Sequence, residues 1–427
     1  MLDLKFIREN ADLVKQSMKN RCDDTGFVDR FFDLDTQRKT FIQEVEELKR
    51  QRNESSKKIG ELIKQKKDVS FAKEDVRKIS DKISGLDTKL KEIEDEFRGI
   101  VDSIPNILHE SVPVGKDDKD NKIVKEYGKI PKQAFEVKDH IELGKLNGLF
   151  DFERGAKIAG SGFPLYIGQG ARLERALISF MLDVHTKKHG YKEIFPPFLV
   201  NRKSMRGTGQ IPKLEADMYK VEGEDLFLIP TAEVPVTNLH ADEVFQEEDL
   251  PVYYTAYTAC FRREAGSYGK DTKGLIRVHQ FNKVEMVKFA RPGDSMDELE
   301  KLLLDAEDIL KILGLPYRVS ALCSGDISFA AHKCYDIELW APGSQRWLEV
   351  SSCSVFSDFQ ARRANIKYQP KDKSKKTEYV HTLNGSGVAL PRLVIALLEI
   401  HQNKDGSVNI PKPLRQYYGA KKILPIK

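Results

Sequence analysis

The chain has 427 residues, more than one hydrophobic core usually organises, so two or three domains are expected. Hydrophobic residues make up 40% and charged residues 32%, which excludes a mainly disordered protein and favours a globular one with a strongly polar, helical part. The net charge is only +4, from 70 basic and 66 acidic residues, so any nucleic-acid surface must be local.

The sequence predicts a cytoplasmic protein. The N-terminus MLDLKFIREN carries charges throughout and does not resemble a signal peptide, and no run of 18 apolar residues predicts a membrane span. The cysteines lack the Cys-x-x-Cys spacing of zinc sites, so free thiols in a reducing compartment are expected and zinc is not. These cysteines are Cys22, Cys260, Cys323, Cys334 and Cys353.

The segment from 41 to 104 has the heptad spacing of a coiled coil. Its first run consists of Phe41, Val45, Leu48, Arg52, Ser55, Ile59 and Leu62. After a break near residues 66–75, a second run consists of Ile79, Ile83, Leu86, Leu90, Ile93, Phe97, Ile100 and Ile104. Two such runs predict an antiparallel helical hairpin, on the order of 40 Å long, that projects into solvent as an arm.

The stretch from 50 to 68 in this arm carries seven basic and three acidic residues. It is interpreted either as a solvated coiled-coil face or as a surface for a phosphate backbone, where each cation adds affinity by counterion release. Charge alone leaves both interpretations open.

A linker is predicted from 103 to 122, because prolines, a glycine and charges cluster there. Beyond it, strand and helix patterns alternate, which predicts an α+β body with a largely antiparallel sheet. Residues 170–190 read as a helix ended by Gly190. Residues 191–200 read as a strand whose Pro196 and Pro197 place it at an edge or interface.

Two predicted strands, 253–265 and 275–289, flank the glycine- and lysine-containing loop 266–274. Strand alternation predicts that Arg262 and Glu264 share a face while Arg263 turns away. On the second strand, one side carries Arg277, His279, Phe281, Lys283 and Glu285. Such a wall suits ATP and an amino acid, because guanidinium groups bind phosphate and an aromatic ring stacks on a base. The alternative is an ordinary hairpin with exposed ion pairs, and His279 alone is better interpreted as structural.

Two further segments favour a ligand cleft. In LIPTAEVPV, alternation places Thr231 and Glu233 on one strand face, where they suit an ammonium group. In NGSGVALPRLVIALLE, a helix is predicted to begin near Pro391, with Arg392 in its first turn. An arginine there opposes the helix dipole, which indicates an anionic ligand; a core-facing helix with a solvated arginine is the alternative.

Together these motifs resemble class II aminoacyl-tRNA synthetases, and in detail the bacterial-type seryl-tRNA synthetases. The resemblance covers the whole chain: the arm, the Pro196–Pro197 strand, PTAEVPVTN, FRREAG with VHQFNKVE, LEVSSCS, and NGSG through Arg392. It implies a tRNA-binding domain over 1–107, a linker and entry over 108–150, and a catalytic domain over 151–427. That domain would hold a six- or seven-stranded antiparallel sheet flanked by helices, with the first motif forming a homodimer interface.

The activity implied is that of an ATP-dependent serine–tRNA ligase. Serine and ATP would give seryl adenylate, and the 3′-terminal ribose of tRNA(Ser) would then take the serine; tRNA(Sec) stays open as a second acceptor. The arm and the loop 266–274 would contact tRNA. No membrane partner is expected.

The resemblance also implies roles for single residues. Arg262 and Arg392 would be catalytic, and Glu349 with Ser352 would hold Mg²⁺, although strand parity places that pair on opposite faces unless a bulge intervenes. The serine-binding set would be Thr231, Ala232, Glu233, Arg262, Glu285 and Ser386. The ATP-binding set would be Arg262, Arg263, Glu264, Val278, His279, Gln280, Phe281, Glu349, Val350, Ser351, Ser352 and Arg392.

The chain departs from the family pattern at Arg263, Lys270 and Lys273, which leaves the loop's contacts with tRNA open. Two other functions make different predictions for these motifs. A related ligase that loads a carrier protein should lack the arm, and a non-catalytic RNA-binding scaffold should have lost the ATP-binding arginines Arg262 and Arg392.

Overall fold

A computed structural model describes residues 1–265, 273–372 and 374–426. Its backbone forms two compact units. One comprises Leu2–Lys19 and Asp23–Pro105, and the other comprises Met1, Asn20–Cys22 and Asn106–Lys427.

The first unit is helical, and two of its helices are unusually long. Its helices are α1 (Leu4–Glu9), α2 (Ala11–Asn20), α3 (Gly26–Lys64) and α4 (Ser70–Ser103). Helix α3 has 39 residues, so at 1.5 Å per residue it is about 58 Å long. It begins well before the first heptad residue, because Val28, Phe31 and Leu34 already contribute buried side chains.

The predicted coiled-coil seam is confirmed. Val45 and Leu48 of α3 pack with Ile83 and Leu86 of α4 in one buried cluster. The ion pairs Arg30–Glu96 and Lys49–Asp87 join early residues of α3 to late ones of α4, as antiparallel helices require. The connection spans only 65–69, shorter than the predicted break, because α4 begins at Ser70.

The second unit is built on an eight-stranded sheet. The strand order of this sheet is β1-β8-β9-β10-β13-β7-β6-β2. It has one strand more than the six or seven expected. Among the described strands of this sheet, neighbours pair antiparallel except β2, which pairs with β6 in parallel. The strands of the unit are β1 (Lys122–Tyr127), β2 (Lys192–Glu193), β3 (Leu199–Asn201), β4 (Leu226–Leu228), β5 (Val244–Gln246), β6 (Val252–Phe261), β7 (Gln280–Ala290), β8 (Tyr317–Ala321), β9 (Lys333–Ala341), β10 (Arg346–Val355), β11 (Lys367–Gln369), β12 (Glu378–Tyr379), β13 (His381–Ala389), β14 (Val408–Asn409) and β15 (Lys422–Ile423).

Helices cover the sheet and enclose the main core. They are α5 (His140–Asn147), α6 (Phe152–Ala159), α7 (Gly168–Lys187), α8 (Arg202–Gly207), α9 (Glu233–Asn238), α10 (Ser295–Leu313), α11 (Phe359–Ala364), α12 (Leu390–His401) and α13 (Arg415–Tyr418). The even residues Val284 and Met286 of β7 belong to the large core with α7, α10 and α12, whereas Val287 and Phe289 belong to a second cluster. Odd positions of β7 therefore face the other side of the sheet, where the predicted site residues lie.

The predicted strand over 191–200 is two short strands instead. β2 ends at Glu193 and β3 begins at Leu199, with Pro196 and Pro197 between them, because proline offers no N–H for a ladder. β2 does lie at the sheet edge, as expected. Helix α7 ends at Lys187, before Gly190, whose φ of 77° serves the following turn.

The hairpin strands are shorter than predicted. β6 ends at Phe261 and β7 begins at Gln280, so alternation does not apply to 262–265 or 275–279. These segments bond to other loops: the Arg263 N–H donates to the Asp217 carbonyl at 2.9 Å, and the His279 N–H donates to the Gly162 carbonyl at 2.8 Å. The loop 266–272, including Lys270, lies outside the described residues, and Lys273 is exposed.

The strand predicted through Thr231 and Glu233 is also wrong. β4 ends at Leu228 and Glu233 begins helix α9. The Glu233 N–H donates to Thr231 Oγ1 at 3.2 Å, a local bond that favours a helix start over a strand. The helix predicted to begin near Pro391 is confirmed as α12.

The described helices include none long and apolar enough to span a membrane. All five cysteines are unpaired, as predicted; Cys22 is exposed and the others are buried.

Candidate active site

A cavity of about 580 Å³ opens on the face of the sheet that carries the odd residues of β7. It brings together chain segments that are far apart in the sequence. The predicted site residues that line it are Thr231, Glu233, Arg262, Glu264, Val278, Phe281, Glu349, Val350, Ser352, Ser386 and Arg392. The cavity gathers them although several were predicted from an incorrect strand assignment.

Other predicted site residues are not part of this lining among the described residues. They are Ala232, Arg263, His279, Gln280, Glu285 and Ser351. Arg263 reaches the Ala216 carbonyl, and His279 Nδ1 lies 3.0 Å from the Arg262 carbonyl oxygen beside the Phe163 ring, which supports a structural role. Ser351 Oγ donates to the Ser386 carbonyl at 2.6 Å and so fixes the neighbouring strand.

Two buried carboxylates form one end of the site. Glu233 is 6% exposed and Glu285 is 1% exposed. Asn384 joins them, since its Nδ2 donates to Glu285 Oε1 at 2.8 Å and to Glu233 Oε2 at 3.2 Å. Burial, reinforced by the neighbouring Glu285, raises the pKa of Glu233 to about 7.

Lys283 supplies the compensating positive charge at this end. It is 5% exposed, forms an ion pair with Glu285 and donates to Thr231 Oγ1 at 2.8 Å. Arg262 also acts on Glu233, where its charge lowers the pKa, so two cations accompany the two carboxylates. The carboxylate oxygens are acceptors that suit the ammonium group of a small ligand.

Two arginines in the lining, Arg262 and Arg392, bring further positive charge to the cavity. The Arg262 guanidinium carbon lies 5.3 Å from the centroid of the Phe281 ring, and its Nε donates to the Pro230 carbonyl at 3.3 Å. Arg392, in the first turn of α12, donates from Nε to the Ile276 carbonyl at 3.1 Å. Its Nη1 reaches Glu349 Oε2 at 3.2 Å and the Glu349 carbonyl at 3.0 Å. Both arginines keep donors available for an anionic ligand.

The pair Glu349 and Ser352 lies in the cavity because β10 carries the irregularity that strand parity required. The register against β9 shifts between Glu349 and Ser351, and both side chains line the cavity. Two protein oxygens suit Mg²⁺, which usually completes its shell with water and substrate phosphates. The described residues contain no cluster of three or more histidine, cysteine, aspartate or glutamate side chains placed to hold a metal.

Sequence reasoning missed several residues of the carboxylate end. Asn384 alternates with Ser386 on β13, so strand parity was a signal that could have found it. Gln360, which donates to Glu233 Oε1 at 2.6 Å, comes from α11 and carried no comparable signal. Thr208 also lines the cavity, from the end of α8.

Two families match the chain. Residues 1–108 match the seryl-tRNA synthetase N-terminal domain. Residues 217–401 match the tRNA synthetase class II core domain (G, H, P, S and T), and this range holds nearly all of the cavity.

Curated relatives match over nearly the full length. The serine–tRNA ligase of Caldicellulosiruptor saccharolyticus is 57% identical over 420 residues, covering 98% of this chain and 99% of that protein. The serine–tRNA ligase of Chloroherpeton thalassium is 54% identical over 427 residues, covering 99% and 100%. The crystal structure of seryl-tRNA synthetase from Pyrococcus horikoshii complexed with ATP superposes with a TM-score of 0.91 at 39% identity, covering all of both chains. The chain belongs to the seryl-tRNA synthetase family.

Proposed function

We propose that the chain is an ATP-dependent serine–tRNA ligase whose cavity forms seryl adenylate and then transfers serine to tRNA(Ser). The observation that carries the proposal is the polarity of the cavity. Glu233, Arg262 and Arg392 line it, and the buried Glu285 is joined to Glu233 through Asn384. A reaction between an amino acid and a nucleoside triphosphate needs carboxylates for the ammonium group and guanidinium groups for the phosphates.

The carboxylate end would bind serine. The carboxylate oxygens of Glu233 and Glu285 would accept hydrogen bonds from the ammonium and hydroxyl groups. Thr231, whose Oγ1 donates to Glu285 Oε2 at 3.3 Å, and Ser386 line the same cavity. A site that bonds the hydroxyl leaves buried polar groups unpaired when alanine enters, which supports discrimination on the order of 10⁴. Threonine would be excluded by shape.

The two arginines and Phe281 would bind ATP. Arg262 would hold the α-phosphate and the serine carboxylate, Arg392 the outer phosphates, and Phe281 the adenine ring. As a serine carboxylate oxygen attacks the α-phosphorus, the bond to the β-phosphate bridging oxygen breaks and pyrophosphate leaves. Arg262 would stabilise the charge that develops, because its donors are already in place.

Glu349 and Ser352 would hold Mg²⁺, which when bound would neutralise phosphate charge. In the second step, the 3′-terminal ribose hydroxyl would attack the activated carbonyl, with AMP as the leaving group. The basic stretch of α3 would contact the tRNA backbone. A homodimer through the first motif is part of the proposal.

The alternatives have less support. A carrier-protein ligase does not explain a hairpin that matches the seryl-tRNA synthetase N-terminal domain. A scaffold that has lost catalysis does not explain a cavity lined by two arginines and the buried carboxylate of Glu233.

Pyrophosphate exchange with each of the twenty amino acids tests the proposal. We expect exchange with serine alone, and a loss of at least about 100-fold in Arg262→Ala, because a transition-state donor is removed. Arg263→Ala is the matched control: its guanidinium contacts the Ala216 carbonyl outside the cavity, so it should lose far less. Exchange retained in Arg262→Ala, or a preference for another amino acid, would overturn the proposal.

A further inference from the structure

Gln360 is a fully buried amide directly behind the carboxylate end of the cavity. It lies on α11, is 0% exposed, and is absent from the described lining of the cavity. Its Nε2 donates to Glu233 Oε1 at 2.6 Å and to the Thr208 carbonyl at 3.2 Å. Its Oε1 accepts from Thr382 Oγ1 at 2.7 Å. Gln360 therefore connects two lining residues, Glu233 and Thr208, to the buried Thr382.

These contacts fix which way the amide points. If the amide were rotated by 180°, its oxygen would face the Glu233 carboxylate and the Thr208 carbonyl, both of which are acceptors. The Thr382 hydroxyl stabilises the observed orientation, because it donates a hydrogen bond to Oε1. Gln360 consequently presents its NH₂ group to Glu233 with both hydrogens used.

The contact also determines how Glu233 faces the cavity. Gln360 holds Oε1 from behind, so Oε2 is directed toward Asn384 at 3.2 Å and toward the lining of the cavity. The charged groups that face Glu233 are Glu285 and Lys283 of β7 and Arg262 after β6. Burial and Glu285 oppose the ionised carboxylate, whereas Gln360 donates to it and favours it.

We propose that Gln360 is a positioning residue that keeps Glu233 ionised and oriented to accept hydrogen bonds from serine. The inference rests on the proposed function and adds to it a residue that never touches the substrate. Its effect should fall on serine binding, which needs Glu233, and not on ATP binding by Arg392 and Phe281. A residue that merely stabilised the fold would affect both alike.

Gln360→Met, which keeps the length of the side chain and removes its donors, tests the inference in the full-length enzyme. We expect KM for serine to rise about 10-fold or more and KM for ATP to stay within about 2-fold, because one charge-assisted hydrogen bond is lost. The acid limb of kcat/KM for serine should lie near pH 7 in the unmodified enzyme. In the variant it should move up by about one pH unit, since the ionised form loses a donor.

Gln402→Met is the matched control. Gln402 is another buried amide, 5% exposed, whose Nε2 donates to the Lys138 and Glu399 carbonyls, away from the cavity. Its substitution should lower the unfolding temperature and leave both the serine KM and its pH profile unchanged.

Thr382 supplies a second test that holds even if Gln360→Met does not fold. Thr382→Val removes the hydroxyl that orients the amide and should raise the serine KM by a smaller factor, whereas Thr382→Ser should restore it. Serine exchange by the unmodified enzyme confirms the proposed function first, so the two ideas fail separately. An unchanged serine KM and acid limb in folded Gln360→Met, or in Thr382→Val, would overturn the inference.

Discussion

The helical hairpin and the cavity use their charged side chains in different ways. On the hairpin, Arg50 pairs with Glu47 and Glu54 while the side chains remain between 48% and 61% exposed. In the cavity, the side chains of Lys283 and Glu285 are 6% and 0% exposed. Ion pairs of the same kind are therefore largely exposed to water on the hairpin and buried at the cavity.

This difference suits two different kinds of ligand. Exposed pairs contribute little and are screened by salt, so their cations can exchange a carboxylate for a phosphate at low cost. Buried charges are costly to desolvate and are held by several partners each, so they are oriented before a ligand arrives. We infer that the hairpin binds a polymer loosely by charge, and that the cavity selects a small molecule by geometry.

The largest effect is expected from breaking the buried pair. Lys283→Met should lower the free energy of unfolding by about 3 to 5 kcal/mol, because it leaves the Glu285 carboxylate buried without its cation. Urea denaturation measures this loss. The double variant Lys283→Met/Glu285→Leu is the control and should recover much of the stability, since it removes both charges. If Lys283→Met loses less than about 1 kcal/mol of unfolding free energy, the buried pair contributes no more than an exposed pair of the hairpin, and the proposed difference between them is wrong.

A second buried carboxyl group, that of Glu174, allows the effect of burial to be measured by changing the pH. Glu174 of α7 is 5% exposed, and burial raises its pKa to about 8. Between its ordinary pKa of 4.5 and about 8, the unfolded chain ionises Glu174 while the folded protein does not, so rising pH destabilises the fold. Glu174→Gln should therefore gain stability relative to the unmodified protein, on the order of 4 kcal/mol between pH 5 and pH 8, because each pH unit in this range contributes about 1.4 kcal/mol.

Unfolding temperatures of both proteins, measured across this pH range, test the prediction. The difference should grow up to about pH 8 and then level off. Asn282→Ala is the matched control, because it removes the contact to Glu174 Oε1 and leaves the titrating group in place. A difference that is constant with pH would show that Glu174 is ionised throughout.

The hairpin lysines should affect tRNA and leave amino-acid activation unchanged. Lys57, Lys58 and Lys64 are exposed on α3. Replacing all three by glutamine should lower kcat/KM for tRNA(Ser) by about 10-fold near physiological salt and flatten its salt dependence, because fewer counterions are released. Serine-dependent pyrophosphate exchange is the internal control. Equal charging by the variant would favour a solvated coiled-coil face.

How far the sequence predicts the structure differs between the two units for a physical reason. In α3 and α4, burial depends on local periodicity, so heptads from Phe41 onward located the seam. In the cavity, the geometry depends on turns. Alternation placed Thr231 and Glu233 on a strand, whereas a local hydrogen bond starts α9 there. Both residues line the cavity, but the backbone predicted for them was wrong.

The resemblance to a family supplied what local patterns lacked. It placed Arg262 and Arg392 in one site although 130 residues separate them in the chain, and both line the cavity. It did not supply Gln360, because that residue acts through Glu233 and lies on a short helix of an unrelated segment. Parity did anticipate the irregularity of β10 between Glu349 and Ser352.

The smallest effect is expected on the hairpin surface. Hydrogen bonds from Arg50 lower the pKa of Glu47 to about 2. By itself, this shift implies a stability gain that is lost as pH falls from 4.5 through 2. Glu47 lies on the exposed surface of α3, however, so water and salt offset this gain. Arg50→Gln should therefore leave the urea midpoint at pH 7 unchanged within experimental error, in low salt as in high salt. A loss comparable to that of Lys283→Met would mean that burial does not separate the two units, and that the hairpin charges are as rigidly held as those of the cavity.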